Sequence, residues 1–141
     1  MKIKKYLKYK LNSQEYRVTF CNDKLSPDIS EDLSRLSSDK KMLLIIDKKI
    51  NHEIIKNLLN DLNQSDFDIT VLKVDGDKKN KNDKFLFKII DKLIEKKFSK
   101  RSVVLSCGGG VVGDVSALAS SLYLRGLIYM HIPTTITAIV D

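Results

Sequence analysis

The sequence predicts an α/β fold, a Rossmann-like, mainly parallel sheet with an N-terminal β-hairpin, and three observations carry that prediction. The apolar runs "MLLII" over 42–46 and "VVL" over 103–105 have no polar face, so they read as strands covered on both sides. Segments between such runs place apolar residues at helical spacing, as in Ile54, Ile55, Leu58, Leu59 and Leu62. The stretch "SCGGGVVGD", 106–114, sets four glycines in six positions between a strand and a helix.

In chain order, "KIKKYLKYKL" and "EYRVTF" alternate apolar and polar residues on either side of Asn12-Ser13, which predicts the hairpin. A short amphipathic helix is expected over 29–36. The strand over 42–46 ends at Asp47, and Asn51 is placed to cap the helix that follows. "FDITVLKV" reads as a strand, "DGDKKNKND" as a highly charged loop, and 85–98 as a helix. After the strand "SVVLS" and the glycine loop comes the small-residue helix "DVSALASSLYLRG", with Gly126 at its C-terminal end. "LIYMHI" is the last strand and leads into Pro133-Thr134-Thr135. One domain over 1–141 is expected, without internal repeats.

Composition narrows the function classes. At 141 residues, 43% hydrophobic and 30% charged, the chain has enough material for one buried core. No apolar run approaches the ~18 residues of a membrane span. The basic N-terminus lacks the uninterrupted apolar stretch of a signal peptide. Cys21 and Cys107 have no zinc or disulfide-framework spacing, so a reduced, cytoplasmic chain is expected. The net charge of +7 comes from lysines scattered end to end, which reads as solvated faces rather than a nucleic-acid surface. His52 and His131 have no partner at metal spacing and read as core or surface residues. Tyr123 and Tyr129 read as packing residues, and Ser116, Ser120 and Ser121 as small residues that let a helix lie close to the sheet.

Gly108, Gly110 and Gly113 satisfy G-x-G-x-x-G in the strand–turn–helix context that gives this pattern meaning. Glycine tolerates positive φ in a tight turn, lets backbone N–H groups approach an anion, and here precedes a positive helix N-terminus. A pyrophosphate is the natural guest. The usual ribose-binding acid about 20 residues downstream is missing, since no acidic residue follows Asp114 until Asp141. Asp47 at the end of an upstream strand is the candidate instead.

"GGGVVGDVSALASSLYLRGLIYMHIPTTITAIVD" closely resembles the nucleotide-binding half of the 3-dehydroquinate synthase family, within the sugar-phosphate cyclase group. That family's pattern runs Gly-Gly-Gly-x-x-Gly-Asp, an alanine-rich helix, Arg-Gly, a strand, Pro-Thr-Thr and an aspartate. The resemblance implies that Gly109, Gly110 and Val111 line the pyrophosphate of NAD, with Asp114 beside them. It places Thr134 and Thr135 toward the nicotinamide, Asp141 near the nicotinamide ribose and substrate, and Asp47 at the adenosine ribose. Arg125 matches an arginine that reaches substrate phosphate across a dimer interface. Two departures stand out. Lys49 replaces a family asparagine, and the family's Gly-Glu-x-x-Lys reads Gly76-Asp77-Lys78-Lys79-Asn80-Lys81, so Asp77 and Lys81 stand in for the glutamate and lysine.

The implied activity is a phosphate-eliminating carbon–oxygen lyase of the shikimate pathway. It converts a seven-carbon sugar acid phosphate (DAHP) to 3-dehydroquinate, with NAD accepting and then returning a hydride. Three alternatives stay open: another sugar-phosphate cyclase, a glycerol-phosphate or metal-dependent alcohol dehydrogenase relative, and a non-catalytic nucleotide-binding fragment. Family members continue into a helical domain carrying the ligands for a zinc or cobalt ion, which these 141 residues lack. The chain alone is therefore expected to be inactive and to bind NAD weakly. The full-length enzyme is expected to be a homodimer acting on a phosphorylated sugar acid, without nucleic-acid or membrane partners.

Overall fold

A strand of five consecutive aliphatic residues has no face to offer water, and Met42–Ile46 are accordingly fully buried. The computed structural model describes residues 5–11, 14–20 and 33–140. The strands β1 (Lys5–Leu11) and β2 (Gln14–Phe20) pair antiparallel in a two-stranded sheet, with Leu11 opposite Gln14. The expected hairpin is therefore present. Of the helix expected over 29–36, residues 33–36 are helical and the rest lies outside the described residues.

The main sheet has four parallel strands in the order β4-β3-β5-β6. They are β3 (Lys41–Asp47), β4 (Asp68–Val74), β5 (Val103–Gly108) and β6 (Ile128–Pro133). The inner strands β3 and β5 are buried along almost their whole length, whereas the edge strands β4 and β6 are partly exposed. Helix α1 (His52–Asn63) links β3 to β4, α2 (Asp83–Glu95) links β4 to β5, and α3 (Gly110–Leu122) links β5 to β6. A last turn, α4, spans Thr137–Val140.

Strand alternation sends β3 side chains to two separate cores. Leu43 and Ile45 pack with Phe85, Ile89 and Leu93 of α2 and with Val112, Val115 and Ala119 of α3. Met42, Leu44 and Ile46 pack on the other face with Ile55, Leu58 and Leu62 of α1. Helices thus cover both faces, which is what turns unpatterned apolar strands into a stable solution. Ile54, part of the predicted apolar stripe, is instead 56% exposed, so α1 buries a narrower face than its sequence suggests.

Local chemistry sets the helix ends. The side-chain oxygen of Asn51 accepts from the Glu53 N–H at 2.8 Å, as expected, and that of Asn82 accepts from the Phe85 N–H at 3.0 Å. α2 ends at Glu95 rather than running to Phe98. Lys97 takes φ of 51° there, and the N–H groups of Lys97 and Phe98 donate back to the carbonyls of Ile94 and Leu93. This turn returns Phe98 to the core, which is why the apolar periodicity outruns the helix. α3 begins at Gly110, ahead of the Gly113 that the sequence suggests. No helix among the described residues is long and apolar enough to cross a membrane.

Candidate nucleotide-binding site

From β3 the chain turns outward to β4, and from β5 it turns outward to β6 on the opposite side. The connections diverge between β3 and β5, leaving a crevice outside the carboxyl ends of those two strands. Open α/β sheets bind ligands at this place. Asp47 closes one side as the last residue of β3, and Gly108–Gly110 close the other.

Each loop glycine has a different physical reason. None has positive φ; among the described glycines only Gly126, at 116°, does. Of the two properties that glycine offers such a loop, tolerance of positive φ is not used here and close approach is the operative constraint. A Cβ on Gly108 would lie 2.8 Å from Val112, and one on Gly113 would lie 2.9 Å from His131 Nε2, so both are required by packing. A Cβ on Gly109 would come within 3.3 Å of Thr135 Cγ2. Gly110 differs: among the described residues, nothing beyond its chain neighbours and its own helix backbone lies within 4 Å of its missing Cβ. The fold itself does not demand glycine there, and the space is open to a guest.

Gly109 is the N-cap of α3, and Gly110 and Val111 are its first two residues. Amides at the start of a helix have no intrahelical acceptor, so this turn presents N–H groups and the positive end of a 13-residue helix together. The Pro-Thr-Thr segment sits beside it. Thr134 N–H donates to Gly108 O at 2.9 Å, and Thr135 Oγ1 accepts from Ala138 N–H at 3.3 Å. Thr135 therefore serves as a helix cap and also covers Gly109.

The Asp47 side is charged. Asp47 Oδ1 accepts from Lys49 N–H at 3.0 Å, and a Cβ at Gly76 would overlap the other carboxylate oxygen. That contact explains the glycine at 76, which carries the next loop across the end of β3. Lys49, the departure from the family pattern, hydrogen-bonds Asp77, the second departure, and lies 3.5 Å from Asp75. The hydrogen bond to Asp77 raises the Lys49 pKa above its ordinary value. A hydrogen bond from Lys48, with Lys49 nearby, holds Asp75 down to about 2. Lys81 reaches across to Asp114 at 2.6 Å, joining this loop to the first turns of α3. Asp47, Asp77, Lys81, Gly109, Gly110, Val111, Asp114, Thr134 and Thr135 thus gather at one edge of the sheet.

Arg125 does not join them. It precedes β6, which runs parallel to β5, so it lies at the amino edge, the far end of the strand from Gly108. Asp141 lies outside the described residues, as does Cys21. Cys107, next to the loop, is buried, and burial aided by the Asp47 charge pushes its thiol up to about 11. It is an unreactive packing residue. No group of three or more His, Cys, Asp or Glu that could hold a metal ion occurs among the described residues. An open groove along α2, lined by residues including Leu72, Phe87, Lys88 and Asp91, shares nothing with this edge.

Beneath the loop, Tyr129 and His131, expected as packing and core or surface residues, join Ser106 in a polar chain. Ser106 Oγ lies 2.7 Å from His131 Nδ1 and 2.8 Å from Tyr129 OH, which donates to Gly113 O at 2.8 Å. Tyr129 and His131 alternate onto one face of β6, a signal present in the sequence. Their juxtaposition with Ser106 depends on the β5–β6 register, in which Ser106 pairs with His131.

The model of the 3-dehydroquinate synthase N-terminal region matches residues 69–141, more than half of the chain and all of the glycine and Pro-Thr-Thr loops. The chain belongs to the 3-dehydroquinate synthase family. A 3-dehydroquinate synthase of Clostridium acetobutylicum is 31% identical over 137 residues, 97% of this chain and 38% of that protein. Among solved structures, a 2-deoxy-scyllo-inosose synthase complexed with carbaglucose-6-phosphate, NAD⁺ and Co²⁺ superposes with a TM-score of 0.76 at 16% identity, over 97% of this chain and 36% of that one. A 2-epi-5-epi-valiolone synthase from Streptomyces hygroscopicus subsp. jinggangensis 5008, with NAD⁺ and Zn²⁺ bound, gives 0.67 at 26% identity, over 82% and 33%. The fold is that of the sugar-phosphate cyclases. These 141 residues span little more than a third of such family members.

Proposed function

We propose that this chain is the NAD-binding part of a 3-dehydroquinate synthase, a lyase that converts DAHP to 3-dehydroquinate with elimination of phosphate. The observation that carries the reading is the open space at Gly110, on a helix N-terminus, across the switch-point crevice from the Asp47 carboxylate. A dinucleotide matches that pair: a pyrophosphate for the amides of Gly109, Gly110 and Val111, and vicinal ribose hydroxyls for Asp47. Family membership and the NAD⁺ bound in two structural neighbours support the choice of cofactor.

The roles follow from position. Thr134 and Thr135, past the end of β6, flank the nicotinamide side, with Asp141 beyond them. Asp77 and Lys81 border the adenosine side, their orientation set by Lys49 and Asp114. NAD, when bound, supplies reversible hydride acceptance, and these residues bind and orient it. Arg125, at the opposite edge, cannot meet a cofactor bound by its own subunit's loop. It serves substrate phosphate only in a neighbouring subunit's site, which makes a homodimer part of the proposal. The Co²⁺ and Zn²⁺ of those neighbours are assigned to no residue among those described.

In the enzyme that carries these residues, heptulosonate phosphate should yield inorganic phosphate and 3-dehydroquinate without net NADH. NADH accumulation without phosphate release would reject the cyclase reading. Asp47→Asn should weaken NAD about 10- to 100-fold, the worth of a hydrogen bond to a charged group, with little change in melting temperature. Unchanged affinity would remove Asp47 from the site.

A further inference from the structure

We infer that Ser106, Tyr129 and His131 are positioning residues: their hydrogen-bond chain fixes the first turn of α3 against the sheet and so sets how tightly that turn holds a pyrophosphate. The inference rests on the NAD-binding reading above, but the chain can be tested without it.

Hydrogen counting gives the chain a direction. The Gly113 carbonyl can only accept, so the single Tyr129 hydroxyl hydrogen is committed to it at 2.8 Å. Tyr129 oxygen must then accept from Ser106 at 2.8 Å, which commits the only Ser106 hydroxyl hydrogen. At 2.7 Å from Ser106, His131 Nδ1 must therefore be the donor. Hydrogen bonds run from His131 through Ser106 and Tyr129 to Gly113, and the ring is the Nδ1–H tautomer.

The other ring nitrogen, Nε2, is buried and has no hydrogen-bond partner among the described residues. It faces Gly113, whose missing Cβ would sit 2.9 Å away. The third glycine of the loop is thus a seat for His131, and the ring is the wedge on which α3 rests. Protonating Nε2 would place an N–H⁺ where no acceptor waits. Burial accordingly lowers the His131 pKa, against opposing contributions from the Ser106 backbone and the nearby Asp114 charge. The groups facing the ring are Ser106 from β5, Tyr129 from β6, and Gly113 with Asp114 from α3. Lys81 neutralises Asp114 in part through their ion pair. The folded state favours the neutral ring, so the stability it carries is fully present above the unfolded histidine pKa of about 6.5 and is lost as pH falls below it toward the lower folded value.

The test uses the full 141-residue chain. Ring ¹⁵N shifts of His131 should report Nδ1–H, and amide hydrogen exchange should quicken at 110–113 in Ser106→Ala and Tyr129→Phe. The same variants should weaken NAD about three- to tenfold at pH 7.5, the usual effect of one lost hydrogen bond. Wild-type stability, read as melting temperature, should decline from pH 7.5 to 5.5. His131→Asn, which keeps an N–H near the Nδ1 position and does not titrate, should abolish that decline. An Nε2–H tautomer, or exchange unchanged in both variants, would overturn the inference. If NAD fails to bind wild type while exchange and tautomer behave as stated, the positioning chain stands and the cofactor reading falls.

Discussion

The two ends of the same parallel sheet treat their polar groups in opposite ways. At the amino edge, Asp39 accepts from Ser99 Oγ at 2.5 Å, Ser102 Oγ at 2.6 Å, Lys41 N–H at 3.1 Å and Ser37 Oγ at 3.3 Å. Ser37 Oγ also donates to the Arg101 carbonyl at 2.8 Å. Burial works to raise the Asp39 pKa, and these hydrogen bonds outweigh it, so the carboxyl is held below its ordinary value. That edge is closed by its own side chains. At the carboxyl edge, a helix N-terminus begins on a glycine with empty space beside it, and the carboxylates of the rim are paired with exposed lysines. One edge satisfies its polar groups internally and the other leaves a helix N-terminus open, which supports the proposed place of the ligand.

The largest expected effect comes from crowding a glycine that the fold itself needs. Gly113→Ala pushes a methyl to within 2.9 Å of His131 Nε2, and overpacking of this kind costs about 1–3 kcal/mol. Thermal or urea denaturation should show the loss. A variant as stable as wild type would mean that His131 moves freely and that the seat described above is loose.

Asp39→Ala addresses the closed edge. Removing a carboxylate that serves several donors should cost about 1–3 kcal/mol and leave NAD affinity within about twofold. With its folded pKa depressed, Asp39 contributes stability that is present above about pH 4 and is lost as pH falls through the folded value. Denaturation curves of wild type and Asp39→Ala should therefore converge in acid. Curves that stay parallel would assign the effect to packing instead.

Lys49→Asn should do least to the fold, since exposed ion pairs contribute about 0–1 kcal/mol and are screened by salt. It restores the residue that the family pattern carries and releases Asp77 and Asp75 from Lys49. A stability change above about 1 kcal/mol would mean that the rim is structural, contrary to the contrast drawn between the two edges.

Much of this contrast is legible in the residues themselves. "MLLII" can only be a doubly covered strand, and Asn51 announces a helix start, because both signals are local. The glycine loop states its chemistry through composition alone. The end of α2 is not legible, because Phe98 continues the apolar spacing while a left-handed Lys97 turns the chain. The same holds for the Asp39 cluster, which joins Asp39 to Ser99 and Ser102 across about sixty positions, and for Ser106 with His131, which needs a strand register. Arg125 is legible as a residue type, but its place at the far edge emerges only once β5 and β6 are known to be parallel.

Gly110→Ala is the most direct test of the central claim that this glycine exists for a ligand and not for the fold. Its φ is not in the left-handed region and its Cβ would meet nothing among the described residues beyond its own helix, so the structure should accept alanine. Replacing glycine by alanine inside a helix generally stabilises by about 0.5–1 kcal/mol. Unfolding and NAD titration measured on the same preparation should show unchanged or slightly raised stability together with at least a tenfold weaker affinity. Retained affinity, or a clear loss of stability, would contradict the account.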